Sequence, residues 1–252
     1  MNKYKLLCTQ STLKSSGEIL INFTKSIDMV DSIESNYILP YLILDENGLS
    51  IKCQHFNLIY IQDIYQPLNK RLKNLDQELL IKAIKIKQAH SNTINILDLT
   101  AGLAKDSLLI AKYGYTVTMI EQNPLLATII YYAIQNHYLP SNMNIIFMNS
   151  IDYLNQLPDM QKPDIIYLDP MFKQNKTAKA KKTMQLIQLI TNEEEDNHTN
   201  DTLLFEQALK TATIKVVVKR DSKQLRISPM PIPTYEKSGK TVRYDVYTVK
   251  NF

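Results

Sequence analysis

From residue 94 onward, segments of strand character alternate with segments of helical period, and this alternation constrains the fold more than any other feature of the chain. Ile94–Leu99, Thr116–Glu121, Asn144–Met148, Asp164–Leu168 and Ile214–Lys219 are short runs rich in aliphatic and β-branched residues. Ala104–Tyr113, Pro124–Tyr138, Ile151–Leu157, Ala178–Ile190 and Thr202–Lys210 lie between or beside them with helical spacing. Pro124 falls in a first turn, where its missing amide hydrogen has no intrahelical partner to lose. Parallel neighbours need a crossover connection, so such a repeat predicts a parallel sheet with helices on both faces. The rhythm breaks at Ser228–Pro233, which has three prolines in six residues and reads as an irregular loop. Thr234–Lys237, Ser238-Gly239 and Thr241–Val249 then read as strand, turn and strand, a closing hairpin that makes the last strand antiparallel to its neighbour.

Residues 1–74 read as a small N-terminal α/β subdomain, and 75–252 as the main domain. Tyr41–Leu44 and Leu49–Lys52 are strand-like runs joined by Asp45-Glu46-Asn47-Gly48, whose Asn-Gly pair favours a tight turn. Leu58–Asp63 is expected as a third strand of a small antiparallel sheet, and Leu75–Ala89 as a helix leading into the main domain. With 44% hydrophobic and 21% charged residues, the chain has the material for a sizeable core. Its longest apolar runs, such as Tyr37–Leu44, are far below the roughly 20 residues a membrane helix needs. No export signal is expected at the N-terminus, and Cys8 and Cys53 form neither a disulfide framework nor a metal spacing, which fits a cytoplasmic protein.

Three stretches carry residues suited to chemistry. Asp98-Leu-Thr100-Ala-Gly102-Leu-Ala-Lys105-Asp106 runs from a strand end into a helix start, the edge at which nucleotide-like ligands bind open α/β sheets. Gly102 lets a ligand approach the backbone. One glycine where a dinucleotide loop has three argues against a dehydrogenase. Glu121 ends the next strand, where a carboxylate can accept both ribose hydroxyls of a nucleoside; alone it is equally a helix cap. Asp169-Pro170-Met171-Phe172, at the end of Asp164–Leu168, resembles the Asp-Pro-Pro-Tyr/Phe signature of amino-group methyltransferases. An aryl amine is a weak nucleophile because its lone pair is delocalised into the ring. Asp169 and the Pro170 carbonyl can each accept one amine hydrogen, and Phe172 can stack on the base. Tyr167 is a second candidate for stacking.

The resemblance extends well beyond one motif. The segments DLTAGLAKDS, MIEQNP, FMNSIDYL, IYLDPMFKQNKTAKAKKTMQ, KVVVKR and KSGKTVRYDVYTV occur in the order found in the ribosomal RNA small subunit methyltransferase J family, and YLILDENGLSIK and NLIYIQDIY follow its N-terminal plan. The chain thus resembles that family over roughly residues 40–250. The resemblance implies a class I, Rossmann-like seven-stranded sheet and S-adenosylmethionine as cofactor. It implies methylation of the 2-amino group of one guanosine in small-subunit (16S) ribosomal RNA, free or in the small ribosomal subunit. It also implies cofactor contacts at Lys105, Asp106, Glu121, Gln122, Asn149, Ser150 and Asp169. Lys105 and Gln122 stand where the family commonly has arginine, and Asn149 replaces a small hydroxyl residue. The family's glycine-rich segment before the main domain is replaced by Leu68–Asp76, with Asn69, Asn74 and Asp76 as polar candidates.

The net charge of +4 says little by itself; its distribution says more. Lys70, Arg71 and Lys73 form one basic cluster, and Lys215, Lys219, Arg220, Lys223 and Arg226 another. Lys173, Lys176, Lys179 and Lys182 are the first candidates for RNA phosphates, with Lys219 and Arg220 next; any one such cluster is more commonly a solvated face. The four histidines lack ligand spacing, and no metal is expected. Rival readings are an amino methyltransferase acting on another RNA or on DNA, and a catalytically inactive RNA-binding assembly factor with the same fold.

Overall fold

The computed structural model describes residues 4–53, 56–86, 94–170, 190 and 198–249. Among them two sheets form. The first joins β1 (Tyr4–Cys8), β2 (Ile27–Val30), β3 (Tyr41–Asp45), β4 (Gly48–Cys53) and β5 (Phe56–Tyr60) in the order β2-β1-β3-β4-β5. It is mixed rather than wholly antiparallel, because β1 runs parallel to both β2 and β3. Helix α1 (Lys14–Thr24) makes the β1-to-β2 crossover. It lies so close to the strands that a Cβ on Gly17 would sit 2.6 Å from Cys8 Sγ and 3.0 Å from Met29 Sδ. Asn-Gly does make the β3–β4 turn, with Gly48 at φ 113° and the Asn47 amide donating to Asp45 Oδ1 at 2.8 Å.

Two expected elements are redrawn. The strand expected over Leu58–Asp63 ends at Tyr60, and α2 (Ile61–Tyr65) follows, burying Ile61, Ile64 and Tyr65. The helix expected over Leu75–Ala89 is interrupted: after α3 (Asn69–Leu72) and a 3-10 turn at Leu75–Gln77, Glu78 is extended at ψ 130° and α4 is confined to Leu79–Ile84. Lys215 ends α4 from a distance. It is buried, and its ammonium donates to the carbonyls of Ala83 at 2.9 Å and Lys85 at 3.0 Å, capping groups with no helical partner.

The second sheet has seven strands in the order β11-β12-β10-β9-β6-β7-β8. These are β6 (Asn95–Asp98), β7 (Thr116–Glu121), β8 (Met143–Phe147), β9 (Ile165–Leu168), β10 (Lys215–Asp221), β11 (Tyr235–Ser238) and β12 (Val242–Thr248). The pairs from β8 through β10 are parallel, and β12 is antiparallel to both β10 and β11. This is the class I, Rossmann-like architecture. Among the described residues its helices are α5 (Lys105–Lys112), α6 (Pro124–Gln135), α7 (Ser150–Gln156) and α8 (His198–Thr211). The polar loop expected at 192–200 has its last residues, from 198, in α8; the basic helix expected at 178–190 lies outside the described residues except for Ile190.

Strand alternation divides the core. Ile165, Tyr167 and Val217 face one side with the buried residues of α4, α5, α6 and the N-terminal sheet, while Ile166, Leu168, Val216 and Val218 face Leu154 of α7 and Phe205 of α8. The N-terminal sheet therefore shares a core with one face of the large sheet, and Phe23 stacks on Tyr131 at 4.3 Å between α1 and α6. Among the described residues no helix is long and apolar enough to cross a membrane.

Candidate active site

The loop after β6 is shaped from below by Asp98, which is 2% exposed. Its Oδ1 accepts from the Thr100 amide at 3.0 Å and the Thr100 hydroxyl at 3.4 Å, and its Oδ2 accepts from the Ser107 hydroxyl. Thr100 then reaches across the sheet edge, its Oγ1 accepting from the Asp169 amide at 2.6 Å. Asp98 thus fixes the start of the loop after β6 and, through Thr100, the backbone at the end of β9. Burial pushes the Asp98 carboxyl up to about 6, against the pull of Ser107 and the Thr100 amide.

That shift sets a pH dependence. A carboxyl raised in the fold binds its proton before the unfolded chain does, so its stabilising contribution is full below pH about 4 and lost as pH rises through about 6. Between pH 7.5 and pH 5 the wild type should gain about 1–1.5 kcal/mol from this one group. Asp98→Asn should lack that gain, as read by urea unfolding at the two pH values. Equal responses in the two proteins would mean that Asp98 is not the titrating group.

Gly102 has φ 55°, and the nearest atom to a Cβ built there would be Thr100 O at 3.9 Å, so the space before its backbone is open. Its amide donates to Glu121 Oε2 at 2.9 Å, while Glu121 Oε1 accepts from the Asn123 amide at 2.8 Å. Each Glu121 oxygen thus takes one backbone amide, which fixes the carboxylate at the end of β7. Asn123, not singled out in the sequence, caps α6 by accepting from Leu125 and Leu126 amides. Asn149 caps α7 in the same way and gives its side-chain amide to Gln122 Oε1 at 2.7 Å, joining the loops after β7 and β8. Ser150 donates to Leu99 O at 2.6 Å, and Lys105 is half-buried at the first position of α5. The structure therefore brings Asp98, Thr100, Gly102, Lys105, Asp106, Glu121, Gln122, Asn149, Ser150, Asp169 and the buried Pro170 to one edge of the large sheet. Phe172, Lys173, Lys176, Lys179 and Lys182 lie outside the described residues.

A charged cluster occupies the α5 side of this edge. Asp106 Oδ2 accepts from the Tyr167 hydroxyl at 2.7 Å and from Lys219 Nζ at 2.7 Å, and Arg71 lies 3.6 Å from Oδ1. The same Lys219 ammonium is 2.7 Å from Asp169 Oδ2. Burial pushes the Asp106 carboxyl up, but Lys219, Tyr167 and Arg71 outweigh it and the net direction is down. For Asp169 the net direction is up, from burial and the Asp106 charge, with Lys219 opposing. Tyr167 is 1% exposed with its hydroxyl engaged, which corrects its reading as a stacking platform.

Lys219 and Arg220 point to opposite faces of β10, as neighbours in a strand must. Arg220 is 4% exposed and donates from Nε and Nη2 to Leu225 O at 3.0 and 2.6 Å. Arg71 and Ser107 lie in this cluster and its supporting loop and were missed by sequence reasoning, whereas Tyr167 was assigned to stacking and instead bonds Asp106. Arg71 was legible only as part of a basic cluster, although it lies on Glu78 at 2.7 Å and turns inward. Beside it a cavity of about 370 Å³ opens between residues 70–79 and Tyr244, with Lys70, Arg71 and Asn74 on its wall. Of the other polar candidates there, Asp76 pairs with Lys85 at 3.5 Å, and Asn69 opens α3.

A family model described as "Putative SAM-dependent methyltransferase" matches residues 28–249. The ribosomal RNA small subunit methyltransferase J of Legionella pneumophila (strain Philadelphia 1) is 31% identical over 211 residues, 82% of each chain. That of Thioalkalivibrio sulfidiphilus is 32% identical over 219 residues, 82% of this chain and 83% of its own. The chain belongs to the ribosomal RNA small subunit methyltransferase J family. A crystal structure of a SAM-dependent methyltransferase from Neisseria gonorrhoeae, 24% identical, covers 98% of this chain and 97% of its own with a TM-score of 0.74, and shares the fold. Membership makes this chain a methyltransferase with S-adenosylmethionine as its cofactor. The family's cofactor fits what lies at the sheet edge: an open approach to the Gly102 backbone and, at the end of β7, a Glu121 carboxylate held in place by the Gly102 and Asn123 amides, the acceptor chemistry that ribose hydroxyls need.

Proposed function

We propose that this chain methylates the exocyclic 2-amino group of a specific guanosine in small-subunit (16S) ribosomal RNA. The observation that carries the reading is the end of β9, where the Asp169 amide is tied to Thr100 and its carboxylate to Lys219 beside Pro170. The relatives' name supplies the RNA; the Asp-Pro pair supplies the chemistry of an amine. S-adenosylmethionine, when bound, would supply an electrophilic methyl group on a sulfonium, whose S–C bond breaks to leave a neutral thioether. Asp169 Oδ1, the oxygen not bonded to Lys219, and the Pro170 carbonyl accept the two amine hydrogens and draw the nitrogen lone pair out of the ring. As the nitrogen gains its methyl group it loses a proton, which Asp169 takes and releases to water. Phe172 stacks on the base, and Lys173, Lys176, Lys179 and Lys182 contact RNA phosphates.

Glu121 holds the ribose, with Lys105, Gln122, Asn149 and Ser150 around the remaining cofactor edge. We place the division of the chain between residues 74 and 75, supported by the N-terminal sheet and α1–α3 lying before it. The enzyme is cytoplasmic, where its substrate is made. The test is methyl transfer from labelled S-adenosylmethionine to small ribosomal subunits from a strain lacking this gene, followed by nucleoside analysis. Label in 2-methylguanosine is the expected result. Label in another nucleoside, or only in another RNA or DNA, would move the substrate; cofactor binding without transfer to any nucleic acid would favour an assembly factor.

A further inference from the structure

Sequence alone assigns Lys219 to RNA phosphate, yet its ammonium lies between two carboxylates, 2.7 Å from Asp106 Oδ2 and 2.7 Å from Asp169 Oδ2. Its side chain is 27% exposed and that of Asp106 only 12%. Asp106 is fixed in turn by the Tyr167 hydroxyl and by Arg71, and Arg71 by Glu78. Side chains from α3, α5, β9 and β10 thus form one connected chain that ends on a single oxygen of Asp169. Strand register places Lys219 in this position: it shares a face with Val217 and pairs with the buried Tyr244 of β12. Burial pulls the Lys219 amine down, but the two carboxylates outweigh it and raise it above its ordinary range, so the ammonium stays charged.

We propose that Lys219 is a positioning residue for methyl transfer: it locks Asp169 Oδ2, leaving Oδ1 and the Pro170 carbonyl to receive the amine, and Asp106 anchors that lock. The inference rests on the reading of Asp169 as the amine acceptor. Without Lys219 the Asp169 carboxylate faces the Asp106 charge and loses the contact that fixes its Oδ2. A misplaced acceptor affects the transition state more than ground-state binding, since the amine must be held in line as its nitrogen rehybridises. A phosphate contact would act the other way, through RNA affinity and its salt dependence.

The experiment uses the full chain, with steady-state transfer to small subunits and calorimetric titration of S-adenosylmethionine. Lys219→Met should lower kcat by about 100-fold while KM for RNA and Kd for cofactor stay within about threefold. Lys219→Arg, which can still bridge two carboxylates, should recover at least about tenfold of that loss. Asp106→Asn should lower kcat by about tenfold with cofactor Kd unchanged, and Lys219→Arg combined with Asp106→Asn should fall short of the product of the single losses. A raised RNA KM with unchanged kcat in Lys219→Met would overturn the proposal and return Lys219 to phosphate. A raised cofactor Kd with unchanged saturated kcat in Asp106→Asn would overturn the anchoring role. Should Lys219→Met fail to fold, Lys219→Arg and Asp106→Asn decide the matter through the same division between kcat and KM. Asp169→Ala separates the two levels. If Asp169→Ala is inactive but Lys219→Met keeps wild-type kcat, this inference fails alone; if Asp169→Ala retains turnover, the reading beneath it fails.

Discussion

Asp169→Ala is expected to lower kcat by about 10³-fold or more while the protein remains folded, because it removes a preorganised acceptor from the reacting amine. Folding should survive for three reasons visible in the structure. The Asp169 side chain is 40% exposed, and Lys219 keeps Asp106 as a partner when Asp169 is lost. The Asp169 amide, which bonds to Thr100, is retained in any substitution except proline. Asp169→Asn keeps a carbonyl acceptor without the charge, so it should fall between the wild type and the alanine variant. Single-turnover transfer and a thermal melt on the same samples read both parts. A folded alanine variant with normal turnover would remove Asp169 from the chemistry.

The largest stability effect is expected at Arg243, away from the reacting atoms. Asp245 is fully buried, and Arg243 pairs with both of its oxygens, one through Nε and one through Nη2 at 3.0 Å. Arg243 also donates to Ser222 O at 3.3 Å and Gln224 O at 3.2 Å, fastening the turn that follows β10. Arg243→Ala leaves a buried carboxylate without its principal partner, a loss of about 3–5 kcal/mol. Urea unfolding should show it as a lower midpoint, and Asp245→Asn in the same background should recover part of it by removing the stranded charge. A loss below about 1 kcal/mol would mean that water or another cation compensates Asp245.

The large sheet was legible because its strands are short aliphatic runs separated by helices, and because the proline-rich stretch at Ser228–Pro233 announced the closing hairpin. That the loop from Asp98 to Asp106, Glu121 and the Asp169-Pro170 pair would meet at one sheet edge was legible because a βαβ sheet brings the ends of its parallel strands together there. What escaped had weak local signals. Helix α1 buries only Gly17, Leu20 and Thr24, and its Ser-Ser-Gly start resembles a loop. The break in the helix expected at 75–89 depends on Glu78 being extended and on Lys215 reaching carbonyls 130 and more residues away. Arg71 joins the site only through tertiary contact with Asp106, so no local spacing announces it. Lys219 and Arg220 were different, for the signal was present: adjacent residues of a strand face opposite sides, so the two could not share one RNA-facing surface.

Whether the methyl group goes to an exocyclic amine is read out by an inosine substitution. Once the modified guanosine has been mapped, the same RNA is prepared with inosine at that position, which lacks only the 2-amino group. Transfer to the guanosine RNA and none to the inosine RNA is expected, with both binding the enzyme about equally. Equal label in the two would contradict it, because the methyl group would then be going to an atom other than the amine that Asp169 and Pro170 are placed to receive.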